Sequence, residues 1–450
     1  MSTDIRIKKG LDIKLIGEAD KTTTDIPIGN LFAIRPENFH GVTPKLLIKE
    51  KSHVKSGEAL FYNKTNQDIL FPSPVSGEIT EIVRGEKRKI LEIKITADNT
   101  QKYQDFDIKN ANELSDDAVK AHLLASGCWP FIKQRPYHII ANPNNSPKEI
   151  FISAYDSAPL APDLDYTLKG KEAELQEALF ALAKLTDGKV HVSIHTNASL
   201  SPFANLKGIV LHKVSGPHPS GNVGTQIAKI NPINKGDIVW TISPQDLVII
   251  GELFLTGKFN AKRMIALTGA QFQQPSYITA IPGAQIKDIV SNNLDATNTR
   301  IISGNVLTGK KVTENDYLGY YDNHITAIPE GNDYELFGWA LPTAAKVSPT
   351  RALTFSWLFP KKKFNLNTNT NGEHRAFVMT GMYEKVFPLD IYPMQILKAC
   401  MYKDLDEMEA LGMYEVAPED FALTEFVCIS KQPHQQIIRE GLDLMIKEIG

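Results

Sequence analysis

The stretch from 148 to 270 most constrains the fold, because strand and helix signals alternate along it. Residues 149–154 (EIFISA), 189–195 (KVHVSIH), 208–214 and 236–241 are short runs carried by Val, Ile, Leu and Phe. Helix-forming stretches lie between them. Residues 168–185 are rich in Ala, Leu, Glu and Lys, and 245–256 follow the fourth run directly. A fifth run at 263–268 closes the series. Alternation of this kind predicts a doubly wound parallel sheet over 148–270, in a domain set at 101–270. Sheets of that type bind ligands past the carboxyl ends of their strands.

The sequence has no G-x-G-x-x-G and no P-loop lysine motif, so no standard phosphate cradle is written into it. Its nearest substitute is SGPHPSGNVGT at 215–225, directly after the run at 208–214. Gly216, His218, Gly221 and Gly224 are the ligand-loop candidates. Backbone N–H groups near Gly221 and Gly224 would suit an anion or a ring carbonyl. Pro217 and Pro219 each remove one such donor, which weakens a phosphate cradle. A purely structural turn is the plainer of the two readings.

Other residues with reactive chemistry have bland readings. His191 and His195 share one face of an expected strand with Ser193, and no further ligands accompany them, so no metal site is expected. Cys128 and Cys428 sit in apolar surroundings and read as buried thiols. Cys400 is the only other cysteine, and the spacing of the three excludes a zinc ribbon or a cluster held by this chain alone. Asp404, Asp406, Glu407 and Glu409 read as a solvated helix face. No catalytic set emerges, and none is expected.

Residues 1–100 are strand-rich. VKSGEALF at 54–61 and FPSPVSGEI at 71–79 resemble the paired landmarks of a biotinyl/lipoyl-like β barrel. Lys64, in NKTN, falls near the hairpin tip that carries the modified lysine in such carriers. The Met, or the Asp and Ala, that flank a carrier lysine are missing, so an unmodified polar turn is expected there. Residues 105–126 read as helix, with Ser115 as N-cap, and 135–147 as loop. Residues 271–335 carry β runs at 285–289, 300–303 and 324–328, read as a small α+β insert. Residues 336–450 open with a Pro- and Lys-rich segment and are expected to be mostly helical, with helices at 393–402, 405–411 and 434–449.

Composition sets the remaining bounds. Hydrophobic residues are 42% and charged residues 22%, ordinary for folded protein. The formal net charge of −3 gives no basic surplus for nucleic acid. No run of about 18 apolar residues occurs. The nearest, 238–255, is broken by Pro244, Asp246 and Glu252. Charges interrupt the first twenty residues, unlike a secretory signal. A cytoplasmic chain without a spanning segment is expected, with docking on an integral partner left open.

Several segments together resemble one family. They are IKKGLD at 7–12, FPSPVSG at 71–77 with RGEKR at 84–88, GPHPSG at 216–221 and RIISGNVLTG at 300–309. YEKVFPLDI at 383–391, ALG at 410–412 and Glu419-Asp420 ahead of Phe426-Val427-Cys428 continue the match. In this order they are similar to the NqrA subunits of the bacterial Na⁺-translocating NADH:quinone oxidoreductases, across nearly the whole chain. The resemblance implies a fold related to the flavin subunit of respiratory complex I: a Rossmann-like domain, a β-grasp (SLBB-like) insert and C-terminal helices. It also implies a peripheral place on the cytoplasmic face of a six-subunit inner-membrane complex with integral partners. That complex uses NADH, flavins, iron centres and quinone, and exports Na⁺. Quinone is a further ligand linked to the family, without residues to assign it to here.

The chain departs from its cofactor-bearing relatives. It has no C-x-x-C-x-x-C run, and its 216–224 loop does not match their flavin loop. The expected role is therefore a subunit with no redox cofactor of its own. The alternative is a flavin- or nucleotide-binding redox subunit that uses the 216–224 loop.

Overall fold

The computed structural model describes residues 4–449 apart from 25, 27, 28, 199, 200, 292, 296, 333, 334, 339, 349 and 351. Four sheets organise it. Two of them make the N-terminal barrel. One joins Leu31–Ile34, Ile90–Ala97, Gly77–Arg84 and His53–Val54; the other joins Pro44–Leu46, Ala59–Asn63 and Asn66–Pro72. Phe61 and Phe71 stack between them at 4.5 Å, with Phe39 edge-on to Phe71 at the same distance. Lys64 lies in the turn between Ala59–Asn63 and Asn66–Pro72, where the sequence places the hairpin tip.

The seven-stranded sheet is the frame of the site. Val210–Ser215, Val190–His195, Ile150–Ser153 and Val239–Thr241 run parallel and side by side in that order. In chain sequence this is third, second, first, fourth, so the order reverses between Ile150–Ser153 and Val239–Thr241. Lys133–Arg135 and Ile139–Ile140 extend the sheet antiparallel beyond Val239–Thr241. These two short strands lie at the edge of and inside the segment read as loop. Val190–His195 is buried on both faces, as a central parallel strand should be.

Alternate residues of these strands serve two cores. Ile150, Ile152 and Trp240 face the helices Glu172–Ala183 and Pro244–Thr256, through Leu175, Leu179, Leu247 and Ile250. Phe151 and Val239 face the opposite way, onto Ile396, Met413, Phe421 and Leu442 of the C-terminal helices. Each fully buried Leu or Ile contributes about 1.5–3 kcal/mol. The C-terminal region is thus the second cover of the sheet rather than an appendage.

The six-stranded sheet runs Lys310–Val312, Thr299–Ser303, His324–Pro329, Arg263–Thr268, Ser276–Ala280 and Thr23–Thr24. Two antiparallel hairpins flank a parallel central pair, and the helix Ile286–Val290 lies between the hairpins in sequence. This is the arrangement expected of a β-grasp insert.

Several readings need correction. Arg263–Thr268 does not close the parallel series; it is a central strand of the six-stranded sheet. Its apolar run fits any buried strand, and partner choice is not written locally. The run at 285–289 is helix, with Ile286, Ile289 and Val290 on its buried side. Its two isoleucines suit a strand by type, but they stand at helical spacing. Residues 1–100 are not all barrel. Asp4–Arg6 pairs with Val210–Ser215 and Thr23–Thr24 with Ser276–Ala280. Strands of two or three residues carry no periodic signal. The helix expected at 105–126 begins only at Asp116, with Ser115 capping it as expected. Between 336 and 382 the only helical element among the described residues is the 3₁₀ turn Ser356–Leu358; helices begin at Tyr383–Val386.

Candidate functional site

A cavity of about 540 Å³ opens where the strand order reverses. Ser153, Tyr155 and Asp156 leave the end of one strand, and Thr241, Ser243 and Asp246 leave the end of the other. Open α/β sheets form ligand crevices at such points, because adjacent connections depart to opposite faces. Lys133 and His138 close one side, Asn305 and Tyr321 a second, and Glu419 and Arg439 a third.

The 216–224 loop forms part of the wall. His218 and Gly221 line the cavity with Asn222 and Val223, while Gly216 and Gly224 lie behind them. The loop is stitched to its own chain. The His218 N–H donates to Asp12 Oδ1 at 2.9 Å, and the Gly221 N–H to Ser157 Oγ at 2.8 Å. Ser157 Oγ also meets His218 Nδ1 at 3.1 Å. The N–H groups of Ser220 and Asn222 bond to the carbonyls of Pro217 and Pro219. Burial pushes the His218 imidazole down to about 4. His218 is therefore neutral near pH 7 and serves as a structural acceptor and donor.

Two glycines in the loop are dictated by close approach. A Cβ on Gly221 would fall 2.4 Å from the Ser157 nitrogen. One on Gly224 would fall 2.4 Å from Arg135 Nη1 and 2.5 Å from Asp420 Oδ1. Gly224 is in the first turn of the helix Val223–Ile230. The guanidinium of Arg135 and the carboxylate of Asp420 therefore occupy the space against that helix N-terminus. Arg135 is fully buried, donating to Asp420 at 2.6 Å and to Glu419 at 2.8 Å. Its two carboxylate partners hold Arg135 charged despite burial.

Sequence reading missed the polar floor of the cavity. Lys133 Nζ sits 3.7 Å above the ring centre of Tyr321. Burial pushes Lys133 down to about 7, opposed by Asp246. Asp246, in the first turn of Pro244–Thr256, is pushed up by burial to about 6, opposed by Arg263 at 3.1 Å and by Lys133. Tyr321 donates its hydroxyl to the Pro130 carbonyl at 2.8 Å. Burial raises Asp156 and Glu419 as well. The cavity thus offers an ammonium and a carboxyl that both titrate close to neutrality, beside an aromatic face. That chemistry suits hydrogen bonding to a compact polar ring or exchange of a proton. Only Asp246 left a trace in the sequence, as an acid interrupting an apolar run.

The remaining candidates are structural. His191 stacks on Phe151 and bonds to His212 at 2.8 Å. His195 tilts against Tyr155. The strand they share is buried along its length rather than half-buried. Cys128, Cys400 and Cys428 are buried and unpaired with one another. Among the described residues no three His, Cys, Asp or Glu side chains are grouped to hold a metal. No helix among them is long and apolar enough to cross a membrane.

Comparison with known proteins gives three family matches in chain order. An NqrA N-terminal barrel-sandwich hybrid domain matches 5–98, the NqrA second α/β domain 114–259, and an NQRA C-terminal domain of SLBB type 264–314. The NqrA subunit of the Na(+)-translocating NADH-quinone reductase of Neisseria meningitidis serogroup B is 37% identical over 448 residues, covering 99% of this chain and 100% of that one. The corresponding subunit of Yersinia pestis is 36% identical over 447 residues, and that of Haemophilus influenzae 37%, with the same coverage. Among solved structures, an NAD⁺-reducing [NiFe]-hydrogenase aligns at 11% identity with a TM-score of 0.35, over 76% of this chain and 60% of that one. A score that low carries no argument.

Proposed function

The chain belongs to the family of NqrA subunits of the Na⁺-translocating NADH-quinone reductases, and from that premise we propose that it is a peripheral subunit of such a reductase. In this reading it supports electron transfer from NADH to quinone, coupled to Na⁺ export, without a redox cofactor of its own. It sits on the cytoplasmic face of a bacterial inner membrane, in a six-subunit complex with integral partners. We read its seven-stranded sheet as Rossmann-like, and its succession of α/β domain, β-grasp insert and helices as related to the flavin subunit of complex I.

One observation carries the cofactor-free part of this reading. Beside Gly224, in the first turn of Val223–Ile230, the chain packs its own Asp420 carboxylate, held by Arg135, close to where a ligand phosphate would seek that helix N-terminus. The N–H groups of His218, Ser220, Gly221 and Asn222 are also spent within the chain. A flavin or nucleotide phosphate would have to displace carboxylate and carry its charge past Asp156, Asp246 and Glu419. The roomy cavity beside the loop favours the alternative, a bound flavin or nucleotide.

Tagging this chain and extracting membranes in mild detergent tests the first part. Integral, flavin-bearing partners with NADH:quinone activity should come with it, and a chain recovered alone from the soluble fraction would overturn the subunit reading. The visible spectrum of the isolated chain tests the second part. A flavin band there would replace the cofactor-free reading by the alternative.

A further inference from the structure

Residues 336–364 carry an unusual combination of apolar and basic side chains. The sequence LFGWALPTAAKVSPTRALTFSWLFPKKKF contains Lys346, Arg351, Lys361, Lys362 and Lys363 and no acid, in a chain whose net charge is −3; Lys346 pairs with Glu335 and Lys363 with Glu18. Several of its large apolar side chains are not buried. Leu336 is 82% exposed, Phe337 61%, Leu358 53% and Phe359 51%. Exposed single apolar residues are ordinary; this many within one short segment are not.

The segment is held at its base, so exposure does not mean that it lacks a fixed place. The Phe364 N–H donates to the Lys14 carbonyl at 2.8 Å, and the Phe364 carbonyl accepts from the Ile16 N–H at 3.1 Å. Thr343 and Phe355 bond across the loop, closing it on itself. Trp357 and Phe359 line a groove of about 290 Å³ whose other side carries Lys14, Lys362 and Lys385. Among the described residues Asp12 is the one carboxylate lining that groove, and it already accepts from the His218 N–H.

Aromatic and aliphatic side chains standing out beside a run of lysines are what an anionic bilayer surface recognises. The rings enter the headgroup boundary, and the ammonium groups meet the negative surface. We propose that the described residues of 336–364 form a lipid-facing anchor that seats this chain on the surface of an anionic membrane. The inference takes its setting from the peripheral-subunit reading and adds a lipid contact made by this chain itself. It requires no spanning helix, because the segment lies on the surface.

Flotation of the purified full chain with vesicles tests it, comparing pure phosphatidylcholine with vesicles holding about one third phosphatidylglycerol. The chain should bind the anionic vesicles at least about tenfold more tightly, and added salt should weaken this binding. The triple substitution K361Q/K362Q/K363Q should bring binding down to the phosphatidylcholine level. F337S/F359S should lose most binding to both vesicle types. Leu47→Ser, on an exposed barrel position, should float like the parent. All these positions are exposed, so the variants should fold, as circular dichroism would confirm. Equal recovery with both vesicle types, or variants that float like the parent, would overturn the anchor. If bare vesicles fail while membrane partners still co-purify, the lipid contact falls and the subunit reading stands. Binding to anionic vesicles without co-purified partners supports the anchor and removes the subunit reading.

Discussion

Arg135 and Asp420 are 285 residues apart in the chain and meet at 2.6 Å, both fully buried, against the first turn of Val223–Ile230. The pair ties the antiparallel strand Lys133–Arg135 of the seven-stranded sheet to the helices that cover it. Removing one partner of a buried pair strands the other charge, at about 3–5 kcal/mol. Arg135→Met should therefore lower stability by about that amount in urea unfolding. Adding Asp420→Asn to it should recover part of the loss, because the stranded carboxylate goes too. A double variant no better than Arg135→Met would show that the two charges do not depend on each other.

Gly224 should tolerate no larger side chain. Arg135 and Asp420 stand where its Cβ would go, so Gly224→Ala must push apart a packed ion pair, at about 1–3 kcal/mol. Gly372 is the control. A Cβ there meets only Lys431 Cε at 3.4 Å, the far end of a flexible side chain. Gly372→Ala should change stability by less than about 0.5 kcal/mol. Equal effects of the two substitutions would mean that the space against Gly224 is not filled as described.

The three cysteines should be silent in the folded protein. All are buried, and burial pushes the thiols of Cys128 and Cys400 up to about 12. A thiol-specific reagent at pH 8 should find none reactive in native protein and all three in denaturant. Rapid reaction of even one native thiol would contradict their burial.

The parallel sheet was legible because its strands carry Val, Ile and Phe, alternating with polar residues in Val190–His195, and the helix Glu172–Ala183 repeats Leu at 175, 179 and 182. The barrel was legible from its glycine and proline landmarks, and the helical tail from its periodicity. What pairs at long range was not legible. Nothing around Asp4–Arg6 says that it will join Val210–Ser215, and nothing in Arg263–Thr268 says which sheet will take it. The glycine loop could be placed at the ligand end of the sheet from sequence alone. The packing of Asp420 against Gly224 could not, because the carboxylate arrives from the far end of the chain. The cavity floor was hidden for the same reason. Lys133, Asp246 and Tyr321 come from a short antiparallel strand, a helix start and a β-grasp loop, and meet only on folding.

That floor should give stability a distinctive dependence on pH. Asp246 has an ordinary carboxyl value of 3.8 when unfolded and about 6 when folded. Between those values the folded protein holds a proton that the unfolded chain has released, so stability falls as pH rises from about 4 to 6. Lys133 moves the other way, from 10.5 unfolded to about 7 folded. Between pH 7 and 10.5 the unfolded chain holds the extra proton, so stability rises with pH across that window. Together they place a minimum near pH 6 to 7 in this site's contribution. Melting temperatures across about pH 4–10 for the parent, Asp246→Asn and Lys133→Met check this by difference. The parent should lose ground to Asp246→Asn between about pH 4 and 6, and gain on Lys133→Met above about pH 7. Flat differences in both windows would mean that neither group titrates as its burial dictates. A reversed slope for Lys133 would place its ammonium in contact with a carboxylate rather than against the Tyr321 ring.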